Sequence, residues 1–288
     1  MIELHCHTRV SDGYYNVEET IKLAKEKDIE YMAITDHDTT SGTEEAIKCG
    51  EKYGVNIIHG IEISGYDFYN NKKAHILGYH VNYEDNYLND FCKDLRERRL
   101  EAAKKMIDII NEAGYNLSLE EVKKYAQDST GIFKQHIMHA LIHKGYTDKI
   151  YSDLYYKLFS SNPKDRGFAF VPLKYIDAVE AVKVVKKANG IAVLAHPALS
   201  DCFEIIPKLV KAGLDGIEAK HTHQKAHEEK MIQSIAKYYN LILTGGSDFH
   251  GFYGYMDESL GSCSPGIETI EKFNDLLEKK SIVHSVKA

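Results

Sequence analysis

Tryptophan is absent from this sequence, and its net charge of -7 excludes the lysine and arginine excess of a general polyanion binder. Any anionic partner must be met by local charge, meaning bound metal or a few clustered basic side chains. Stable binding of duplex nucleic acid is therefore not expected. The five cysteines (Cys6, Cys49, Cys92, Cys202 and Cys263) are scattered, odd in number and without a CxxC pair. That pattern argues against a disulfide frame and for reduced thiols in a reducing compartment. No stretch is apolar for long enough to span a bilayer, so no membrane partner is expected. Met1-Ile2-Glu3-Leu4-His5 has neither the basic start nor the apolar run of a signal peptide, and the expected location is the cytoplasm. Internal repeats and low-complexity tracts are missing too. What is present is an ordinary globular balance, 43% hydrophobic and 27% charged, over 288 residues. That length holds one large domain, or one domain carrying an insert.

The first eighty residues alternate strand-like and helical runs. Ile2 to His7 reads as a strand, and Val17 to Lys27 carries Val17, Ile21 and Ala24 at helical spacing. Tyr31-Met32-Ala33-Ile34 reads as a buried strand. Thr43 to Tyr53 reads as a helix closed by Gly54. Strands follow at Val55 to Ile58 and Ala74 to Tyr79. This rhythm favours parallel strands with helices packed outside. It breaks between about Asn86 and Arg166, where Leu88 to Glu112, a capping box at Ser118-Leu119-Glu120-Glu121, Ile132 to Lys144 and Tyr151 to Phe159 all read as helical. It resumes with a helix from Tyr175 to Ala188 and a strand from Ile191 to Ala195. A helix from Glu204 to Ala212, a strand from Gly216 to Ala219, a helix from His227 to Tyr239 and a strand from Leu241 to Thr244 complete it.

The sharpest feature is where the histidines fall. Residues two apart on a strand share a face, so His5 and His7 point together and Cys6 points away. Such a pair can bind one metal ion, or can simply be two half-exposed histidines on an edge strand. The same placement recurs at Thr35-Asp36-His37-Asp38, at Glu62 and His75, at Ala195-His196-Pro197 and at Gly246-Ser247-Asp248-Phe249-His250. Parallel βα strand ends converge on one face, where catalytic groups collect. Unpaired buried carboxylates and imidazoles would be costly there, and coordination satisfies them. Nitrogen and oxygen donors without thiolate point to manganese, zinc or iron, and the supply of ligands suits two or three divalent ions. Such ions activate water and clamp the oxygens of an in-line phosphoryl displacement.

His5-Cys6-His7, Ser11-Asp12-Gly13, Thr35-Asp36-His37-Asp38, Gly60-Ile61-Glu62, Ala195-His196-Pro197 and Gly246-Ser247-Asp248-Phe249-His250 resemble, in order and spacing, the polymerase and histidinol phosphatase (PHP) family. The resemblance implies an α/β fold, a distorted (βα)7 barrel with an all-helical insert. Residues 1–85 and 167–288 would form the barrel, and 86–166 a substrate-covering insert. It also implies one ion held by His5, His7, Glu62 and Asp248, a second by Glu62 as a bridge with His75 and His196, and a third by Asp12, His37 and His250. Of these, Asp12, His37, Glu62, His196, Asp248 and His250 are the expected catalytic residues. The reaction would be hydrolysis by a metal-bridged hydroxide. The substrate would be a phosphorylated small molecule: a nucleoside 3',5'-bisphosphate or a 5'-phosphorylated short oligonucleotide, as in the branch with a helical insert. Histidinol phosphate or another small phosphomonoester is the alternative, and a non-catalytic or amidohydrolase-type metal barrel is the alternative of another class. Lys134, His136, Arg166 and His223 are candidate substrate contacts; relatives commonly have arginine at the position of Lys134.

Other residues carry two readings. Asp36 and Asp38 either orient His37 or cap the following helix. Arg96-Glu97-Arg98-Arg99 is read as a solvated helix face, because alternating Glu and Arg support exposed helices. His139 and His143 are read as a surface pair. His221 sits at a strand end and would face the substrate. Tyr151, Tyr155 and Tyr156 offer either stacking surface or helix packing.

Overall fold

Local signals open and close the helices. Asn16 accepts from the Glu19 amide at 2.8 Å while Glu19 accepts from the Asn16 amide at 2.9 Å, and helix Val17–Glu26 starts there. Gly54, at φ 72, ends helix Thr43–Tyr53 in the left-handed conformation that glycine adopts without strain. The computed structural model describes residues 1–84, 86–255 and 259–287, the side chains of 280–287 excepted.

The central sheet has seven strands in the order Ile2–Glu3, Tyr31–Ile34, Asn56–Ile63, Ile76–Tyr79, Ile191–Leu194, Gly216–Lys220 and Ile242–Gly245. Its two ends meet just beyond the first and last strands. The His7 amide donates to the Phe249 carbonyl at 3.0 Å, and the Asp248 amide donates to the His5 carbonyl at 2.9 Å. The sheet thus closes into a barrel. One strand departs from the expected direction: Ile76–Tyr79 is antiparallel to both neighbours. No helix separates it from Asn56–Ile63, only the hairpin Gly65–Asp67 and Lys72–Lys73. A chain that turns back without a crossover returns antiparallel. Asp177 moves another boundary. It caps the amides of Val179 and Glu180, so the helix runs over Ala178–Lys187, and Ile176–Asp177 pairs with Gly65–Tyr66 instead.

Between the strands Ile76–Tyr79 and Ile176–Asp177 lie helices Tyr87–Glu112, Leu119–Lys123, Lys134–His143 and Asp153–Phe159. The long helix serves two cores. Leu88, Cys92 and Leu95 pack with Val185 and Leu194 of the barrel, whereas Ala103, Met106, Ile107 and Ile110 pack with Ile137, Leu141 and Phe159. Asp85, the last residue of the expected first barrel segment, lies outside the described residues. Helix Glu268–Lys287 has no counterpart among the expected elements. Its Ile270 and Phe273 pack with Leu4, Leu77, Tyr79 and Val193, and the rings of Phe273 and Tyr79 are 5.1 Å apart. Phe273 is fully buried. Truncating it to alanine is expected to cost about 3–5 kcal/mol, measured as a lower urea midpoint with an unchanged slope.

Candidate metal centre

The first strand's position is set by Glu3. Its buried carboxylate accepts from the amides of His5 (3.0 Å), Ser247 (2.9 Å) and Gly261 (2.8 Å) and from Ser247 Oγ (2.5 Å). This ties the two ends of the barrel together directly below the histidines. Period-two alternation holds, with the His5 and His7 rings 5.3 Å apart and Cys6 turned into an apolar cluster with Val17 and Ile21.

Glu62 is the hub. Its Oε1 lies 2.9 Å from His75 Nδ1 and 3.1 Å from His196 Nε2. Its Oε2 lies 3.0 Å from His37 Nδ1, 3.3 Å from His7 Nε2 and 3.5 Å from His5 Nε2. Asp248 Oδ1 stands on the far side, 3.1 Å from His7 Nε2 and 3.3 Å from His5 Nε2. Asp12 completes a further group, with Oδ1 3.4 Å from His250 Nε2 and 3.6 Å from His7 Nδ1. All nine expected ligands are therefore brought together. They fall into four overlapping sets: His5, His7 and Asp248; His5, Glu62 and His196; His37, Glu62 and His75; and His7, Asp12, His37 and His250. Within each set the donor atoms lie within 4.8 Å of one another, close to twice a metal–ligand bond of about 2.1 Å.

The electrostatics are those of a site short of positive charge. Burial opposes ionisation of Glu62, yet His37, His75 and His5 hold its carboxyl well below the usual range. Burial also opposes charge on His5, but Asp248, Glu218 and Glu62 raise its imidazole well above normal. His37 gives way instead: burial lowers it to about 4 despite Glu62 and Asp12. His75 is lowered by burial as well. Several imidazoles share one carboxylate and cannot all be cationic.

The residues fit divalent cations on an observation independent of charge. His5 Nε2, His7 Nε2, His75 Nε2 and Asp248 Oδ1 are buried without a hydrogen-bond partner among the described residues. Of these, His5 Nε2 and His7 Nε2 lie 3.3 Å and 3.1 Å from Asp248 Oδ1 but not in hydrogen-bonding geometry. Buried polar atoms left in this way are costly, and a shared cation satisfies them together.

Around this centre several expectations are corrected. Asp36 accepts from the Thr8 amide (2.8 Å), Thr8 Oγ1 (2.7 Å) and Ser11 Oγ (2.6 Å), holding the loop after the first strand rather than His37 or a helix start. Asp38 accepts from the Ser64 amide and Oγ, each at 2.8 Å, and from Arg99 at 2.5 Å. Helix Thr43–Tyr53 has no side-chain cap. Arg96 and Arg99 therefore do not form a solvated face: Arg96 donates to the Asp38 carbonyl at 2.7 Å, and Arg99 stacks on Phe133 at 4.4 Å. His221 turns toward the centre, 3.4 Å from Asp248 Oδ2. Glu218, not singled out in the sequence, lies 3.1 Å from His5 Nδ1. An acid inside the apolar run Gly216-Ile217-Glu218-Ala219 was the available signal.

The candidate substrate contacts divide. Lys134 and His136 belong to the first turn of helix Lys134–His143, beside the centre: Phe133 stacks on His37 at 6.0 Å, and Gln135 Nε2 is 3.4 Å from Asp12 Oδ2. Lys134 reaches the Phe159 carbonyl at 3.4 Å. His223 is exposed, 5.2 Å from Tyr255, which stacks on Tyr151 at 4.0 Å. Arg166 is exposed over Phe170, and among the described residues no contact ties it to the centre. His139 bonds Tyr253 Oη at 2.9 Å and packs on Tyr125, so it is partly buried rather than the surface residue expected. Because Asp38 is fully buried, Arg99→Met is expected to destabilise the protein by about 3 kcal/mol, and adding Asp38→Asn should recover much of that in a denaturation cycle.

Comparison with known proteins agrees with this geometry. The PHP domain family model matches residues 3–260. A phosphoribosyl 1,2-cyclic phosphate 1,2-diphosphodiesterase from Eggerthella lenta is 39% identical over 255 residues, 88% of this chain and 96% of the relative. A 3',5'-nucleoside bisphosphate phosphatase from Chromobacterium violaceum is 27% identical over 254 residues, 86% of this chain and 87% of the relative. The crystal structure of a putative metal-dependent phosphoesterase from Bifidobacterium adolescentis superposes with a TM-score of 0.86 at 24% identity, covering 95% of each chain, and supports the fold. The chain belongs to the PHP domain family, and with it to the phosphoester hydrolases.

Proposed function

We propose that this enzyme hydrolyses a phosphate ester on a phosphorylated ribose, either a ribosyl cyclic phosphate or a nucleotide carrying a second phosphate. The observation that carries the reading is Glu62, whose two oxygens face separate groups of imidazoles. His5, His7, Glu62 and Asp248 would hold one divalent ion. Glu62, His75 and His196 would hold a second, and Asp12, His37 and His250, with His7 alongside, a third. The donor set suits manganese, zinc or iron. Bound there, such ions supply an activated water at neutral pH and offset charge growing on the phosphoryl oxygens. The similarity to the Eggerthella enzyme over nearly its whole length puts ribose phosphates first.

The chain's own side chains supply the rest. His136 Nδ1 accepts from the Phe133 amide at 3.2 Å, and burial lowers the imidazole to about 4, so it is neutral at pH 7. Its hydrogen therefore sits on Nε2, a buried donor without a hydrogen-bond partner among the described residues. Lys134 supplies a cation for a phosphate that does not react. Burial, with Lys73 and Arg99 nearby, lowers its ammonium to about 8. The paired rings of Tyr151 and Tyr255, with His223 against them, favour a second reading in which a nucleotide base stacks on the exposed side of Tyr255.

The test is 31P NMR of chelated and manganese-reloaded protein with a phosphoribosyl 1,2-cyclic phosphate, adenosine 3',5'-bisphosphate, AMP, histidinol phosphate and a 5'-phosphorylated oligonucleotide. Turnover of the cyclic phosphate or the bisphosphate is expected. Turnover of histidinol phosphate alone would sink the ribose reading. Glu62→Ala and Asp248→Ala should each lower kcat by more than about 1000-fold with the fold intact by circular dichroism. Because Lys134 is cationic only below about pH 8, KM should rise as pH passes that value, and Lys134→Gln should have a high KM without that rise.

A further inference from the structure

Directly beneath the histidines lies a carboxylate that none of the ligand sets includes. Glu218 sits in the strand Gly216–Lys220 and is fully buried. One oxygen, Oε1, lies 3.1 Å from His5 Nδ1, and the other, Oε2, accepts from the backbone amide of His196 at 2.8 Å. These histidines follow the first and fifth strands of the sheet, and both turn Nε2 toward Glu62, at 3.5 Å and 3.1 Å.

The two bonds do different things. A carboxylate on Nδ1 of a neutral imidazole keeps the hydrogen there and leaves the lone pair on Nε2. In His5 that nitrogen is the buried one without a partner. His196 has a different need. Its backbone lies at φ 28 and ψ 55, a strained conformation for a residue with a Cβ, and it must be held by its surroundings. The Glu218 bond to its amide is part of that hold, and Pro197, next in the chain, opens a short helical turn. Packing alone gives no reason for an acid here, since its neighbours Ile217 and Ala219 are buried apolar residues.

We propose that Glu218 is a positioning residue for metal binding, fixing the tautomer of His5 and the backbone of His196 so that both Nε2 atoms meet around Glu62. This rests on the metal-dependent reading given above. Glu218→Met keeps the volume and loses both acceptors, whereas Glu218→Gln keeps one carbonyl oxygen and cannot replace both bonds.

The experiment strips the full-length wild type and both variants with a chelator. Each is then titrated with zinc or manganese against a competing fluorescent chelator, and the metal-free forms are melted in parallel. Metal affinity should fall about 10- to 100-fold in Glu218→Met, and less in Glu218→Gln, with each metal-free form still folded at the temperature of the titration. In zinc-loaded wild type, imidazole 15N NMR should place the metal on His5 Nε2 and the hydrogen on Nδ1, and Glu218→Met should lose that signature. Affinity within twofold of wild type in Glu218→Met would overturn the proposal and leave the metal reading standing. Should Glu218→Met fail to fold, wild-type affinity in Glu218→Gln would overturn it equally. Wild type that binds no metal would instead overturn the metal reading itself.

Discussion

A single carboxylate, Glu62, sets the terms for the centre. It is buried among five imidazoles, from His5, His7, His37, His75 and His196. Removing a carboxylate from water costs several kcal/mol, recovered only where cations or good donors surround it. Protons on histidine do this poorly here, because burial opposes the charge and the rings crowd one another: His37 and His75 are pushed down, while nearby carboxylates push His5, His7 and His196 up. Divalent cations held by the same residues would offset the carboxylate with less crowding, each bringing two charges. Metal that binds only the folded chain then adds its binding energy to folding. The strain in the backbones of His196 (φ 28) and Asp248 (φ 56) belongs to the same economy, since strained residues persist only where surroundings over-determine them.

Much of this was legible because the informative signals are local. Period-two spacing put His5 and His7 on one face, and the capping residue Ser118 and the terminal Gly54 marked real helix ends. The signals that failed were those whose partners are distant. Arg96-Glu97-Arg98-Arg99 has the charge pattern of a surface helix, and nothing near it in sequence distinguishes the alternative. What decides is Asp38, 61 residues before Arg99. The antiparallel course of Ile76–Tyr79 likewise depends on a hairpin rather than on the strand's own residues, and the strand reads the same in either direction. Glu218 stood in plain view inside an apolar run, but its meaning depends on His5, 213 residues away.

A chain with a net charge of -7 that acts on anions must concentrate its positive charge, and the arrangement here does so in two layers. Every member of the four donor sets lies outside residues 86–166, on or beside barrel strands except Asp12, which lies in the loop after the first strand. The helices of residues 87–159 bring Phe133, Lys134, Gln135 and His136 to the same place from the other side. The two layers are bolted together by Arg96 and Arg99 on Asp38, a pairing that also reaches Ser64 beside His37. The consequence is a division of labour. On the proposed reading, changes in the helical layer would alter which phosphate is held, and how strongly, whereas changes at the strand ends would alter the chemistry itself. Lys134 fits that division. A lysine offers charge without arginine's planar fork, and such a site would hold a phosphate by attraction more than by fixed geometry.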